Sequence, residues 1–452
     1  VSRRSRRRVP VGPFETAITA LANDGRGIGR VPEADAAADP GKVMFIDGAL
    51  PGETVRYMRT RNRPDFAEGR LEAVLEPSPD RVEPPCEHAG YCGGCKLQHL
   101  DATAQLREKQ QQMLDALQRI GKLSPGRVLP PLEGPTLGYR RRARLSVRDV
   151  PAKGRVLVGF RERDKPYVAD IETCAVLVPE IGQRLPILSE MLGRLSIRDQ
   201  IPQVEVAVGD DCAALTLRCL RPPTDADRDV LLELEQRLNA QVFLQPGGLD
   251  SVEPLQPPAR PLGYRLADDA VEVRFEPLDF TQINGAVNEK LVTQALAELA
   301  PQPGDRVLEL FAGLGNFTLP LARREARVHA VEGDAGLVAR AASNAARQGL
   351  DDRITTEVAD LFGEPGGWSW PGRSFDLALL DPPRAGAAEC LDALAATGVR
   401  RIVYVSCHPA TLARDAGRLV RDHGFGCEAA GVIDMFPHTA HVESMAVFDR
   451  GR

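Results

Sequence analysis

The sequence predicts an α/β chain in three parts: a small all-β barrel, a β-rich centre and a doubly wound α/β sheet. Three textures carry this expectation. Residues 14–77 alternate short apolar runs with Gly and Pro turns, as in GKVMFIDGALPGETVRYMRT, the pattern of short strands in a small barrel. Residues 139–275 contain VLVGF, VEVAV and VEVRF, three strand-like runs. From Asp279 onward, apolar runs alternate with helical sequence, as buried parallel strands with covering helices do. The expected divisions are 10–75, 76–276 and 277–452.

Between barrel and centre, Pro77, Pro79, Pro84 and Pro85 mark a linker. DATAQLREKQQQMLDALQRIG at 101–121 then reads as an amphipathic helix, with Leu106, Met113, Leu117 and Ile120 on one face and Gly121 as its end; this helix is expected to pack on the catalytic part. In the last part RVLEL, RVHAVE, FDLALLD, RIVYVSC and VESMAVF are the strand candidates. Ligands of such sheets bind outside the carboxyl ends of the strands, so the residues there are the ones to read for chemistry.

Composition removes several classes. The chain has 452 residues and a formal net charge of −6, which argues against a broadly basic nucleic-acid coat. No apolar run is long enough for a membrane span, and the basic start VSRRSRRRVP lacks the apolar core of a signal peptide. A cytoplasmic monomer without membrane contact is expected. Two local basic runs stand out: five Arg within residues 1–8 and four within Tyr139–Arg144. Such runs are solvated faces or phosphate contacts. Nine cysteines are too few for a disulfide scaffold of this length, and Cys86, Cys92 and Cys95 cluster within ten residues, which points to ligation of zinc or an iron–sulfur cluster.

The strand-end residues form a coherent set. The first strand runs into Glu309-Leu310-Phe311-Ala312-Gly313-Leu314-Gly315-Asn316-Phe317-Thr318, where glycines let a cofactor approach the backbone, although Thr318 replaces the third glycine of a dinucleotide fingerprint. Glu332 ends the second strand and suits both hydroxyls of a ribose. Asp360 follows the third, either beside an adenine amino group or as a helix cap. Asp381-Pro382-Pro383-Arg384 follows the fourth, with two prolines fixing the backbone. Together these favour S-adenosylmethionine over NAD. Cys407 ends the fifth strand. A thiolate there could add to C6 of a pyrimidine and make C5 nucleophilic toward a sulfonium methyl group, after which a base must take the C5 proton. Glu443 is the candidate base, with His438 and His441 as rivals, while Cys212, Cys219 and Cys390 read as inert core thiols.

The segments FTQINGAVNEKLV, LELFAGLGNFTLPLA, LLDPPRAG, YVSCHPATLARD and HVESMAVF, in this order, resemble the RNA uracil-5-methyltransferase family. The resemblance implies that Gln282, Phe311, Asn316, Glu332, Asp360 and Asp381 bind S-adenosylmethionine, with Cys407 as nucleophile and Glu443 as base. His408 stands where the family more often has Asn. Residues 10–72 resemble a TRAM domain, an RNA-binding barrel of the OB type. Cys86, Cys92 and Cys95 with distant Cys174 match the [4Fe–4S] ligands of the ribosomal-RNA branch. The transfer-RNA branch typically lacks both features, so the implied substrate is a uridine of 23S ribosomal RNA and the product 5-methyluridine. A transfer-RNA or dual-site enzyme and a non-catalytic RNA-binding assembly factor are the competing readings.

Overall fold

The computed structural model describes residues 12–35, 38–163, 165–363 and 365–451, so the arginine run at the start lies outside the described residues. They form two compact units. One holds the described residues up to Gly90 with Gly94–Lys109 and Pro437–His441; the other holds Tyr91–Gly93, Gln110–Phe436 and those from Val442 on.

The first unit is built on a curled six-stranded sheet of β1 (Phe14–Ala17), β2 (Ala20–Leu21), β3 (Gly27–Arg30), β4 (Val43–Asp47), β5 (Thr54–Asn62) and β6 (Phe66–Glu76), in the order β1-β5-β6-β4-β3-β2. Period-two alternation sends Val55 and Tyr57 of β5 inward against Met44, Ile46 and Ala67. Arg59 continues that inward set, and its charge is matched by Asp35 at 3.2 Å, both side chains being 1% exposed. The helix Ala102–Ala116 begins where Asp101 Oδ1 accepts from the N–H groups of Thr103 and Ala104.

Leu106, Met113 and Leu117 are buried as the periodicity predicts, but Ile120 is 48% exposed. The physical reason is a π-helical turn at Leu117–Gly121, which adds a residue per turn and rotates Ile120 off the apolar face. The chain reverses at Lys122, at φ 59°, rather than at Gly121. This turn packs on the helix Pro409–Arg421, where Arg421 Nη1 donates to the Gly121 carbonyl at 3.2 Å.

The second unit carries β7 (Arg127–Val128), to which we return, and a six-stranded sheet. Its strands are β8 (Arg142–Val150), β9 (Arg155–Gly159), β10 (Gln203–Val208), β11 (Ala213–Arg218), β12 (Ala240–Gln245) and β13 (Glu253–Pro254), in the order β13-β12-β11-β10-β8-β9. VLVGF and VEVAV supply β9 and β10, as expected. The centre is less purely β than its texture implied. β11 and β12 are parallel and so need a crossover, supplied by the helix Asp225–Leu238. Thr224 and Asp227 form a capping box at its start, a feature worth about 1 kcal/mol. VEVRF becomes β15 (Val271–Phe275), paired with β14 (Leu262–Leu266) in a separate hairpin.

The C-terminal sheet consists of β16 (Arg306–Leu310), β17 (Arg327–Glu332), β18 (Ile354–Val358), β19 (Leu377–Leu380), β20 (Arg401–Ser406), β21 (Gly426–Ile433) and β22 (Glu443–Asp449). Its order is β18-β17-β16-β19-β20-β22-β21, and β7 adds a parallel edge beyond β21. The five quoted strand candidates and the run ahead of Asp360 are all present as strands. β16 to β20 are parallel, whereas β22 runs antiparallel between β20 and β21.

Candidate active site

Strand register explains why the motif residues meet. Leu310 lies opposite Val331 on one side and Leu380 on the other, and Glu332 lies opposite Val358. Phe311, Glu332, Asp360 and Asp381 therefore leave the sheet along one rim. β20 runs two residues beyond Tyr404, the partner of Leu380, and ends just before Cys407. Across the antiparallel pair Ser406 faces Ser444, so Cys407 and Glu443 are the next step on neighbouring strands. Ser444 Oγ donates to the Ser406 carbonyl at 3.3 Å and ties the two ends together.

The electrostatics of this rim are unusual. Glu443 is 4% exposed, and burial pushes its carboxyl up to about 8, against a lowering by Arg384. Burial, then the charge of Glu443, pushes Asp381 up to about 8 as well. Glu309, 1% exposed, is likewise raised to about 8 by burial, although it accepts from Thr318 Oγ1 at 2.7 Å and is also raised by Asp381 and Glu332. The Cys407 thiol is driven to about 11, first by burial and then by Glu443 and Asp381, with Arg384 pulling the other way. Burial at this rim thus disfavours the anionic forms of Glu309, Asp381, Cys407 and Glu443.

The cofactor candidates occupy the rim with different partners. Glu332 Oε2 accepts from Gly313 N–H at 3.1 Å and its Oε1 from Asp334 N–H at 3.0 Å. Gly313, at φ 56°, and Gly315, at φ 90°, give the turn a backbone that a side chain would disfavour. Phe311 sits at φ 64° with its ring 5.7 Å from that of Phe362. Asp360 is exposed; its Oδ1 accepts from Phe362 N–H at 3.0 Å, and Trp368 Nε1 holds its carbonyl at 2.9 Å. Gln282 is half-buried, two residues before the Asn284 cap of the helix Gly285–Leu299.

Asn316 is engaged with protein. Its Oδ1 accepts from Tyr264 Oη at 2.8 Å and from Asn288 Nδ2 at 2.9 Å, and its Nδ2 returns a bond to Asn288 Oδ1 at 3.0 Å. Tyr264 and Asn288 therefore position the glycine turn, and sequence reasoning missed both. Asn288 stands inside FTQINGAVNEKLV, so it was visible there; Tyr264 lies on a hairpin whose docking no local pattern announces. Arg384, Glu309 and Phe362 are further rim residues to which the sequence assigned no role.

The remaining candidates separate from the rim. His438 belongs to the first unit, where its N–H donates to Gln105 Oε1 at 2.8 Å and its Nδ1 lies 3.2 Å from Gln105 Nε2. That is a structural role. Cys212, Cys219 and Cys390 are buried, and burial raises the last two to about 11 and about 12, as inert core thiols require. The arginines of Arg140–Arg144 already have partners in the protein: Arg141 pairs with Asp210 at 2.5 Å, Arg144 with Glu205 at 3.0 Å, and Arg140 lies over the Phe160 ring.

Cys86 and Cys95 lie in the first unit, Cys92 and Cys174 in the second, and none of the four is in a disulfide. Cys92 and Cys174 both pack on the core of the central sheet. The donor chemistry suits an iron–sulfur cluster, but among the described residues no three His, Cys, Asp or Glu side chains converge to hold a metal ion.

A profile described as tRNA (Uracil-5-)-methyltransferase matches residues 263–359 and 372–450. The chain is 50% identical over 447 residues, 99% of each chain, to the 23S rRNA (uracil(1939)-C(5))-methyltransferase RlmD of Xanthomonas axonopodis pv. citri (strain 306). It is 49% identical, with the same coverage, to the protein of that name from Stenotrophomonas maltophilia (strain K279a). The fold is similar to that of the Pyrococcus abyssi tRNA (uracil-54, C5)-methyltransferase in complex with S-adenosyl-L-homocysteine, with a TM-score of 0.73 at 23% identity, covering 96% of this chain and 99% of that one. With its nucleophile and carboxylate candidates on adjacent strand ends and half its residues shared end to end, the chain belongs to the family of RNA (uracil-5-)-methyltransferases.

Proposed function

We propose that the chain methylates C5 of a uridine in 23S ribosomal RNA, with Cys407 as the nucleophile and Glu443 as the base. One observation carries the reading: Cys407 and Glu443 share one end of an antiparallel strand pair, beside the Asp381 and Glu332 termini. The RNA target follows the relatives that match over the full chain, which are 23S rRNA enzymes by name.

The residues fit S-adenosylmethionine on chemical grounds. Carboxyl groups at the strand ends favour a sulfonium cation over its neutral thioether product, and Glu332 offers a carboxylate for a ribose. Phe311 and Phe362 offer ring faces, while Gln282, Asn316 and Asp360 complete the assigned set. When bound, the cofactor supplies an electrophilic methyl group. A cation held there would also lower the cost of ionising Asp381, Glu443 and Cys407 together. The Cys407 thiolate adds to C6 of uracil, forming the S–C6 bond and placing negative charge on C5 and O4. Arg384, whose positive charge lowers the thiol's pKa, favours that thiolate. Once C5 is methylated, ionised Glu443 takes the C5 proton, the electrons re-form the C5–C6 double bond and the Cys407 sulfur leaves.

Residues 14–76 serve as an RNA-binding TRAM barrel in this reading. Cys86, Cys92, Cys95 and Cys174 hold a [4Fe–4S] cluster, on the strength of their spacing and the family resemblance. No step of the transfer passes through it. Iron and sulfide analysis of anaerobically purified protein tests this; a Cys174→Ser chain with undiminished iron would exclude Cys174 as a ligand.

The deciding experiment is mass-spectrometric mapping of 5-methyluridine in 23S RNA from a strain lacking the protein, with methyl transfer to separate 23S and transfer-RNA transcripts in vitro. Activity on transfer RNA alone would overturn the ribosomal assignment.

A further inference from the structure

A cleft of about 310 Å³ opens in the second unit, walled by Phe243 of β12, the segment before β14, the end of β15 and the helix Ala335–Arg347. Four guanidinium groups line it, from Arg260, Arg274, Arg340 and Arg347, against one carboxylate, Glu276. In a chain of net charge −6 such a concentration of positive charge is local and built.

Its charges are only partly compensated. Arg274 Nε meets Glu272 at 2.9 Å, and Arg340 pairs with Asp279. Even so, Arg340 Nε is buried with no hydrogen-bond partner among the described residues. Arg347 donates to the neutral amide oxygen of Asn344 at 2.6 Å. Burial first, then the adjacent Arg274, pulls Arg347 below its ordinary value, with Glu272 acting the other way. Arg260 uses its backbone, not its guanidinium: Gln241 accepts from its N–H at 2.5 Å and donates to its carbonyl at 3.0 Å.

The cleft is also fixed to the cofactor turn. Asn344, 1% exposed, holds both backbone groups of Arg274 at 3.0 Å and the Leu314 carbonyl at 3.2 Å while it receives Arg347. Asp279, the partner of Arg340, lies three residues before Gln282. Rigidly held guanidiniums with open N–H groups match phosphate oxygens, which they bind in forked pairs.

We propose that this cleft is a phosphate-binding subsite for the substrate RNA strand, contacted by Arg260 and Arg347 at a nucleotide outside the methylated one. The inference rests on the reading of the chain as an RNA methyltransferase. It commits to backbone phosphate rather than to a free anion, because the relatives that match the full chain act on RNA.

The test compares wild type with Arg260→Gln/Arg347→Gln in initial-rate methylation across RNA concentration and salt. The expected result is an about tenfold rise in KM for RNA, a salt dependence shallower by about 1 in slope per lost contact, and unchanged kcat and KM for S-adenosylmethionine. Ser343→Glu, an exposed helix position on the cleft wall, is a second variant that leaves every arginine in place, and it should raise KM for RNA in the same way. Unchanged KM and salt slope in both would overturn the proposal. So would thermal protection of wild type by inorganic phosphate with RNA kinetics untouched in the variants, which would mark a free-anion site. Failure of the wild-type chain to methylate any RNA would instead remove the parent reading.

Discussion

Gly386 and Asp415 are in contact: a Cβ on Gly386, which sits at φ 84°, would lie 2.5 Å from Asp415 Oδ2. That oxygen is already committed. It accepts from Ala387 N–H at 2.8 Å and from Tyr404 Oη at 2.7 Å, while Oδ1 receives Arg414 Nε at 2.7 Å. A fully buried carboxylate on the helix after Cys407 thus grips the loop that carries Asp381 and the strand that carries Cys407. Gly386→Ala should be strained by about 1–2 kcal/mol from its φ alone, before the clash is counted. Asp415→Asn can keep an acceptor for Ala387 N–H and Tyr404 Oη only by turning its amide donors toward Arg414 Nε, a loss of about 1–3 kcal/mol. Both should lower kcat by at least about tenfold at saturating RNA, with Tyr404→Phe milder. Full activity in Gly386→Ala would show that the loop does not depend on this contact.

The covalent step predicts opposite outcomes for two variants. Cys407→Ser should abolish turnover, because an alkoxide is far less accessible than a thiolate. Glu443→Gln should still form the S–C6 bond and methylate, yet fail to lose the C5 proton. A protein–RNA adduct should then accumulate and survive a denaturing gel. Absence of that adduct would remove Glu443 as the base.

Cofactor affinity should depend on pH. Asp381 and Glu443 stand at about 8 without ligand, and a cation prefers them ionised. S-adenosylmethionine should therefore bind more tightly as pH rises from 6 toward about 8, releasing protons below that point. The neutral-sulfur product lacks only the transferred methyl and with it the sulfonium charge, so its binding should rise less. Titration of both ligands by calorimetry gives the comparison; parallel pH curves would contradict it.

The same buried acid carries a cost in stability. The folded-state value of Glu443 is raised to about 8 from the ordinary carboxyl value of 4.5, so the native chain holds a proton that the unfolded one gives up between those values. Its contribution is fully present below about pH 4.5 and is lost as pH rises through about 8. Glu443→Gln should accordingly melt near wild type at pH 5 and roughly 2 °C or more above it at pH 8.5. Calorimetric melting at the two pH values checks the sign.

Much of the catalytic part was legible because its signals are local. An apolar run, a turn and one polar residue at the strand end recur for β16, β17, β19 and β20, and the parallel fold brings those ends to one rim. β21 was not read because GCEAAGVI is small and glycine-interrupted, and β7 contributes only two paired residues. Neither becomes a strand without the neighbour it pairs with. Tyr264 and Asp415 act through tertiary hydrogen bonds, for which a single sequence carries no period. Ile120 failed for a different reason: a π-helical turn keeps the residue types of a helix while changing the angle between them.

β22 lies inside the sheet, between β20 and β21, yet follows both in the chain. During synthesis the ribosome therefore delivers the thiol first and its carboxylate neighbour only with residues 443–449. Until then β20 and β21 flank an open slot, each with unpaired backbone groups. A nascent chain released short of this strand would hold Cys407 without Glu443, the group proposed to end its covalent cycle. The order of assembly thus delays competence until the last strand has been inserted.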